Sequence, residues 1–291
     1  MLLLQLLING MIAGSIYALV ASGFSLIHST NRFLHLAHGA VITLGAFTFH
    51  TLFLLLDLPL YISALATIVA TSFLGWLTYA FIYSPLKTRG ASRSTLLVAS
   101  LALAILLGNI LLLLFGPDPR SINFDLPGVN ISGALITGLQ LLIIIISLII
   151  LIILFAFTKW SKLGKTMRAV ADNHELAEIS GINSKKIEIT GFIIGSAIAG
   201  LAAVLITLDQ NIDPYMGREL MIKGLTGAIV GGVTSLPGAV FGSYFLGLLE
   251  NVGILWLPSS YKDAIAAVLL ISFLLFKPTG FFGLNKKTIN D

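Results

Sequence analysis

Residues Val230–Gly242 read VGGVTSLPGAVFG, and they interrupt an otherwise apolar region. LTGAI precedes the stretch and SYFLGLLENVGILW follows it, both hydrocarbon-grade, while the middle carries Gly-Gly and then Ser-Leu-Pro-Gly, the strongest kind of turn signal. Proline donates no backbone hydrogen bond, and the turn frees several N–H and C=O groups. At membrane depth such groups must be buried in protein or face a wet cavity. The stretch therefore reads either as a turn at 234–237 on the cytoplasmic side or as a broken helix lining a path, and both readings stay open at this point.

Working outward, the chain is 57% hydrophobic and only 10% charged. A soluble domain carries about 25% charged residues. Apolar runs of roughly 18 or more residues recur from end to end, each long enough to cross a hydrocarbon core of about 30 Å. The fold class is an all-α polytopic membrane protein with about 8–9 transmembrane helices. The expected spans are about 2–27, 39–56, 60–83, 95–115, 138–158, 189–208, a short 220–233, 238–256 and 262–277, with 220–233 and 238–256 forming a short or broken helix pair near 220–256. Residues 1–291 make one transmembrane domain, and the apolar start MLLLQLLINGMIAG, without a basic leader, reads as a retained first helix.

Charge sets orientation. Lys87, Arg89 and Arg93; Lys159, Lys162, Lys165, Arg168, Lys185 and Lys186; and Lys277, Lys286 and Lys287 supply twelve of the 17 basic residues. By the positive-inside rule these three segments face the cytoplasm. Connections 116–137 and 209–219, with Asp118, Arg120, Asp125, Asp209, Asp213, Arg218 and Glu219, belong outside. The polar break STNRFLHLAHG leaves the side of the N-terminus open. The net charge of +4 follows topology rather than a nucleic-acid footprint.

Several chemistries are excluded. The absence of cysteine removes disulfides and thiolate chemistry. His35 and His38 lack a carboxylate nearby in sequence to complete a metal site, so no metal is expected. No nucleophile–base pair stands out, so no catalytic residue is assigned. No P-loop pattern is present, so ATP is not bound by that route. Gly10, Gly14, Gly23, Gly191, Gly195 and Gly200 read as helix-packing contacts. Asn9, His38, Gly39, Thr234 and Ser235 are candidates for a translocation pathway, because polar or bare backbone at depth is costly unless used. Glu250 and Asn251 lie toward a span end, where an interfacial position competes with a functional one.

The loop SKLGKTMRAVADNHELAEISGINSKKIE, within about 159–187, reads as a short helix pair. Leu163, Met167 and Val170 share one face and Leu176 and Ile179 another, with a stop at Gly181-Ile182-Asn183. Such a protrusion can dock in a groove of a second protein. Here the sequence resembles the membrane-spanning permease of ABC importers for branched-chain amino acids. Glu175-Leu176-Ala177, three residues, then Gly181 matches the Glu-Ala-Ala-three-Gly pattern of the ATPase-contacting loop, while the downstream Ile-x-Leu-Pro is replaced by Ile189-Thr190-Gly191-Phe192. LHLAHG, SPLKTRG, GLTGAIVGGVTSLPGAVFG and YKDAIAAVLLISFLLFKPTGFFG extend the likeness.

The resemblance implies a transport subunit, not an enzyme, in the cytoplasmic (inner) membrane of a prokaryote. Arg168, Ala169, Glu175, Ala177 and Gly181 would form the coupling loop. Implied partners are a second homologous permease, two ABC ATPase subunits that carry ATP and Mg, and an extracytoplasmic substrate-binding protein. No cofactor is expected in this chain. A permease of the same family for urea or short amides is the alternative substrate reading, and an ion-coupled secondary transporter the alternative class.

Overall fold

In a computed structural model the described residues are 2–283 apart from 123, 125 and 132. Asp125, Lys286 and Lys287, counted above, lie outside them. The helices follow the apolar runs closely: α1 Leu2–Asn31, α2 His38–His50 prolonged by a wide turn Thr51–Leu55, α3 Leu60–Thr78, a second wide turn Tyr79–Tyr83 and α4 Ser84–Thr88, α5 Arg93–Phe115 and α6 Gly138–Trp160. Then come α7 Lys162–Asp172, α8 His174–Ile179, α9 Ser184–Asp209, α10 Met216–Gly231, α11 Leu236–Gly253 and α12 Lys262–Phe276. Among the described residues seven stretches are long and apolar enough to cross a membrane, and α10 with α11 adds a pair bent by 118°. Val129–Ile131 and Ala134–Ile136 also pair as a small antiparallel ribbon, with Gly133 at φ 90°.

The ends of the bundle sort by charge. At one, Arg32 Nη2 donates to the Asp172 carbonyl at 3.2 Å and Lys87 pairs with Glu188 at 2.9 Å. At the other, Gln5 exchanges side-chain hydrogen bonds with the Leu135 backbone at 3.0 and 2.9 Å, and Arg120 and Ile212 pair backbone to backbone at 2.8 Å. We call these the basic end and the far end. Residue 2 therefore starts α1 at the far end, which settles the direction that the sequence left open.

α1 is the central post, packed on α9, α10 and α11. It is buried almost without a break from Gly14 to Ile27. Small residues permit this: a Cβ on Gly23 would stand 2.8 Å from the Gly195 carbonyl oxygen of α9, and one on Gly195 equally close to that of Gly23. Close backbone approach of this kind is how helices gain packing contact where no hydrophobic effect drives them together. The outer helices are bare and apolar, with Leu113 85% and Phe276 86% exposed, as suits a lipid-facing surface.

The chain between α1 and α2 breaks inside protein, not at a surface. Phe33, His35 and Ala37 are buried, and Arg32 takes φ 62°. Its polar groups find partners across the bundle: His35 Nδ1 with Tyr83 OH at 2.9 Å, and the Ala37 N–H with Ser100 Oγ at 3.0 Å. Irregular backbone in a membrane protein survives where such partners exist.

VGGVTSLPGAVFG proves to be a tight hairpin at the basic end. α10 and α11 meet through Gly231 and Gly238, whose backbones touch, and Gly232 turns the chain at φ 113°. The Ser235 hydroxyl caps α11 by accepting from the Gly238 N–H at 3.2 Å. The last carbonyls of α10, which no helix can satisfy for itself, accept from the tail: Phe281 N–H to Val230 O and Phe282 N–H to Gly231 O, both 2.9 Å.

Candidate functional site

At the basic end α7 and α8 stand as the short helix pair that the loop composition suggests. Ser161 caps α7 through the Gly164 N–H at 2.8 Å, and Asn173 caps α8 through Leu176 N–H at 3.2 Å. α8 stops where Gly181 enters the left-handed region at φ 82°, with Gly181 N–H on Glu178 O and Ile182 N–H on Ala177 O at 2.9 Å each. That is a C-terminal glycine stop.

The five loop residues divide by environment. Ala177 is 4% exposed and joins Met167 and Val170 in the core, so it seats the pair rather than faces a partner. Ala169 is half-buried, while Arg168 is exposed and donates from Nη2 to the Lys159 carbonyl at 3.2 Å. Glu175 and Gly181 are exposed, and beside them Leu176 and Ile179 stand 60% and 82% bare. Two large apolar side chains are thus held out together on a capped polar loop. Leu163 is 47% exposed, apart from the buried Met167 and Val170 with which its spacing groups it.

α8 is tied to the membrane helices by one carboxylate. Glu188, at the start of α9, accepts from Tyr79 OH at 2.5 Å and pairs with Lys87 at 2.9 Å through Oε2. Its Oε1 meets His174 Nε2 at 3.3 Å, and Lys87 also donates to Asn31 Oδ1 at 3.0 Å. The cluster thus joins the end of α1, the α3–α4 segment, α8 and α9.

The five pathway candidates fall in three places. Thr234 and Ser235 line a cavity of about 340 Å³ at the basic end, together with Ser25, Ser29, Lys159 and Arg168. His38 and Gly39 lie in packed helix crossings. The His38 ring sits over Gly23, and Gly39 abuts Gly217, whose N–H donates to Thr43 Oγ1 at 3.1 Å. Asn9 is near the far end, half-buried, accepting from Gln5 Nε2 at 3.1 Å.

Of the two positions that the sequence left open for Glu250, interfacial or functional, the structure shows a side chain enclosed by protein. It is 0% exposed, and Asn251 only 3%. Tyr17 OH donates to Glu250 Oε2 at 3.0 Å, and Lys223 Nζ lies 3.6 Å from that oxygen and 3.0 Å from Asp263. Lys262 donates to Asn251 Oδ1 at 3.0 Å. An acid within a span was the available signal, since such groups are costly and mark function or a specific partner. Its partners come from α1 and α10, and that of the adjacent Asn251 from α12, which no local pattern announces. Among the described residues no group of three or more His, Asp or Glu could hold a metal ion.

Comparison with known proteins shows the family. The family described as "Branched-chain amino acid transport system / permease component" matches residues 6–274. The high-affinity branched-chain amino acid transport system permease protein BraD of Pseudomonas aeruginosa is 35% identical over 96% of this chain and 95% of its own length. LivH of Escherichia coli K12, a permease protein of the same description, is 31% identical over 96% and 95%. A probable branched-chain amino acid transport permease protein of Methanocaldococcus jannaschii is 28% identical over 98% and 94%.

Proposed function

The chain belongs to the branched-chain amino acid transport permease family, and from that premise we propose that it carries branched-chain amino acids across the cytoplasmic membrane as the transmembrane subunit of an ATP-driven importer. It is a multi-pass membrane protein and a transport component rather than an enzyme. An ion-coupled secondary transporter is not favoured by these relatives. In the proposed assembly two ATPase subunits hold ATP and Mg, a second permease of the same family completes the membrane unit, and a binding protein delivers substrate from outside.

The observation that carries the coupling role is the α8 surface. Leu176 and Ile179 are bare at the end of the bundle where basic residues gather, and that end is cytoplasmic by the positive-inside rule. Glu175, Leu176 and Ile179 are the contact residues in this reading. Ala177 and the Gly181 turn hold α8 in place, and Arg168 and Ala169 lie on the supporting helix α7.

The test uses the permease expressed with its ATPase. Leu176→Asp and Ile179→Asp should each abolish co-purification of the ATPase and transport, while the thermal midpoint of the permease alone stays within a degree or two of wild type, as for exposed substitutions. ATPase binding retained in both variants would refute the assignment.

A further inference from the structure

The ionic cluster around Lys223 does more than join helices, because it borders a cavity open at the far end. That cavity, about 150 Å³, lies between the middle of α1, the end of α9 and the start of α10. At about 30 Å³ per water it has room for roughly five waters, the bulk of one small solute. Gln210, Asn211 and Glu219, all exposed, form its mouth, and the buried Tyr17 closes its floor.

The lining combines three chemistries. Lys223 brings an ammonium group, Asp213 and Glu219 bring carboxylates, and Ile206 and Leu220 supply apolar wall. The Lys223 side chain is 16% exposed, and its nearest acid, Asp263, is 74% exposed. A pair with so wet a partner is weak, so an incoming carboxylate can replace Asp263 on Lys223 at low cost without moving the ammonium away from Glu250. The wholly buried Glu250 behind it, at 3.6 Å, keeps the ammonium in place meanwhile.

We propose that this cavity is an entry subsite for a zwitterionic amino acid: Lys223 receives the α-carboxylate, Asp213 and Glu219 the α-ammonium, and the Ile206–Leu220 wall the branched side chain. The site rests on the importer reading above for its substrate class. A solute lacking either charged group would leave one sign of the lining unpaired, which the site should disfavour by about tenfold or more.

The absence of cysteine from the whole chain gives a direct probe. Ala13, which also lines the cavity, is replaced as Ala13→Cys in the full transporter, reconstituted in vesicles and labelled from outside with a membrane-impermeant thiol reagent. Saturating leucine should slow labelling about tenfold, whereas isoamylamine, which lacks the carboxylate, should not. Glu219→Gln, a rim change that leaves the Lys223–Glu250 pair intact, should raise the leucine concentration needed for protection about tenfold without altering labelling in its absence. Labelling that leucine leaves unchanged, in vesicles that still import leucine, would overturn the subsite while sparing the importer reading. Protection by leucine in vesicles that import no branched-chain amino acid would do the reverse.

Discussion

At the scale of single residues, glycines of this chain stand in different settings, and their surroundings tell them apart. Gly23 stands where α1 meets α9, and a Cβ there would lie 2.8 Å from a carbonyl oxygen. Gly108, on the lipid-facing α5, has nothing within 4 Å of the same position. The two Ala substitutions should therefore move stability in opposite directions. Gly23→Ala forces the central helices apart and should cost about 1–3 kcal/mol, the usual effect of overpacking. Gly108→Ala removes backbone freedom from the unfolded chain and should gain up to about 1 kcal/mol. Thermal unfolding in detergent, followed by Trp fluorescence, reads both, and equal shifts would show that the close approach does not limit packing. Gly181 belongs with neither: its surroundings are open, but φ 82° penalises any side chain, so Gly181→Ala acts by straining the end of α8.

At the scale of elements, the apolar runs and turn signals marked the helices because both are local properties. Each expected span has its helix, and the loop around 159–187 has its two short ones. What the sequence withheld is what brings elements together. Glu188 falls at the junction of a polar loop and a span, and nothing in SKKIEIT shows that Lys87, Tyr79 and His174 will converge on it. The inward turn of Glu250 is hidden for the same reason, its partners arriving from two other helices. The Thr279–Gly283 tail was equally silent, though its backbone completes the end of α10. Glu188 offers a test of how α8 is held. Glu188→Leu leaves Lys87, only 22% exposed, without its carboxylate and with Asn31 Oδ1 as its remaining partner, and breaking such a pair costs about 3–5 kcal/mol. Adding Lys87→Met removes the orphaned charge and should recover most of that loss in the thermal midpoint. Recovery of fold without recovery of transport would identify the cluster as the link between α8 and the bundle, whereas a double variant no more stable than Glu188→Leu would show that the ion pair is not the source of the loss.

For the whole molecule, helix direction and charge give one topology. α1 runs from the far end to the basic end, α2 returns, and α3, α5, α6 and α9 continue the alternation. α10 then descends from the Arg120–Ile212 pairing to the tail contacts at Gly231, α11 climbs back to the Asn251–Lys262 contact, and α12 descends to Lys277. The hairpin at 232–235 must accordingly reach the cytoplasmic side, since Thr234 and Ser235 share a cavity with Lys159 and Arg168. Had the broken pair been a shallow excursion from the far end, Ser25 Oγ near the end of α1 could not donate to the Val233 carbonyl at 2.6 Å. Accessibility decides the matter in the Cys-free background. Thr234→Cys, exposed on the turn, should react with an impermeant thiol reagent only in inside-out vesicles, as Lys165→Cys on α7 should. Asp118→Cys, exposed in the connection that carries the ribbon, should react only in right-side-out vesicles. Reaction of Thr234→Cys from the outside would place the turn in the far half of the bundle and would undo both the hairpin's assignment and the count of crossings that depends on it.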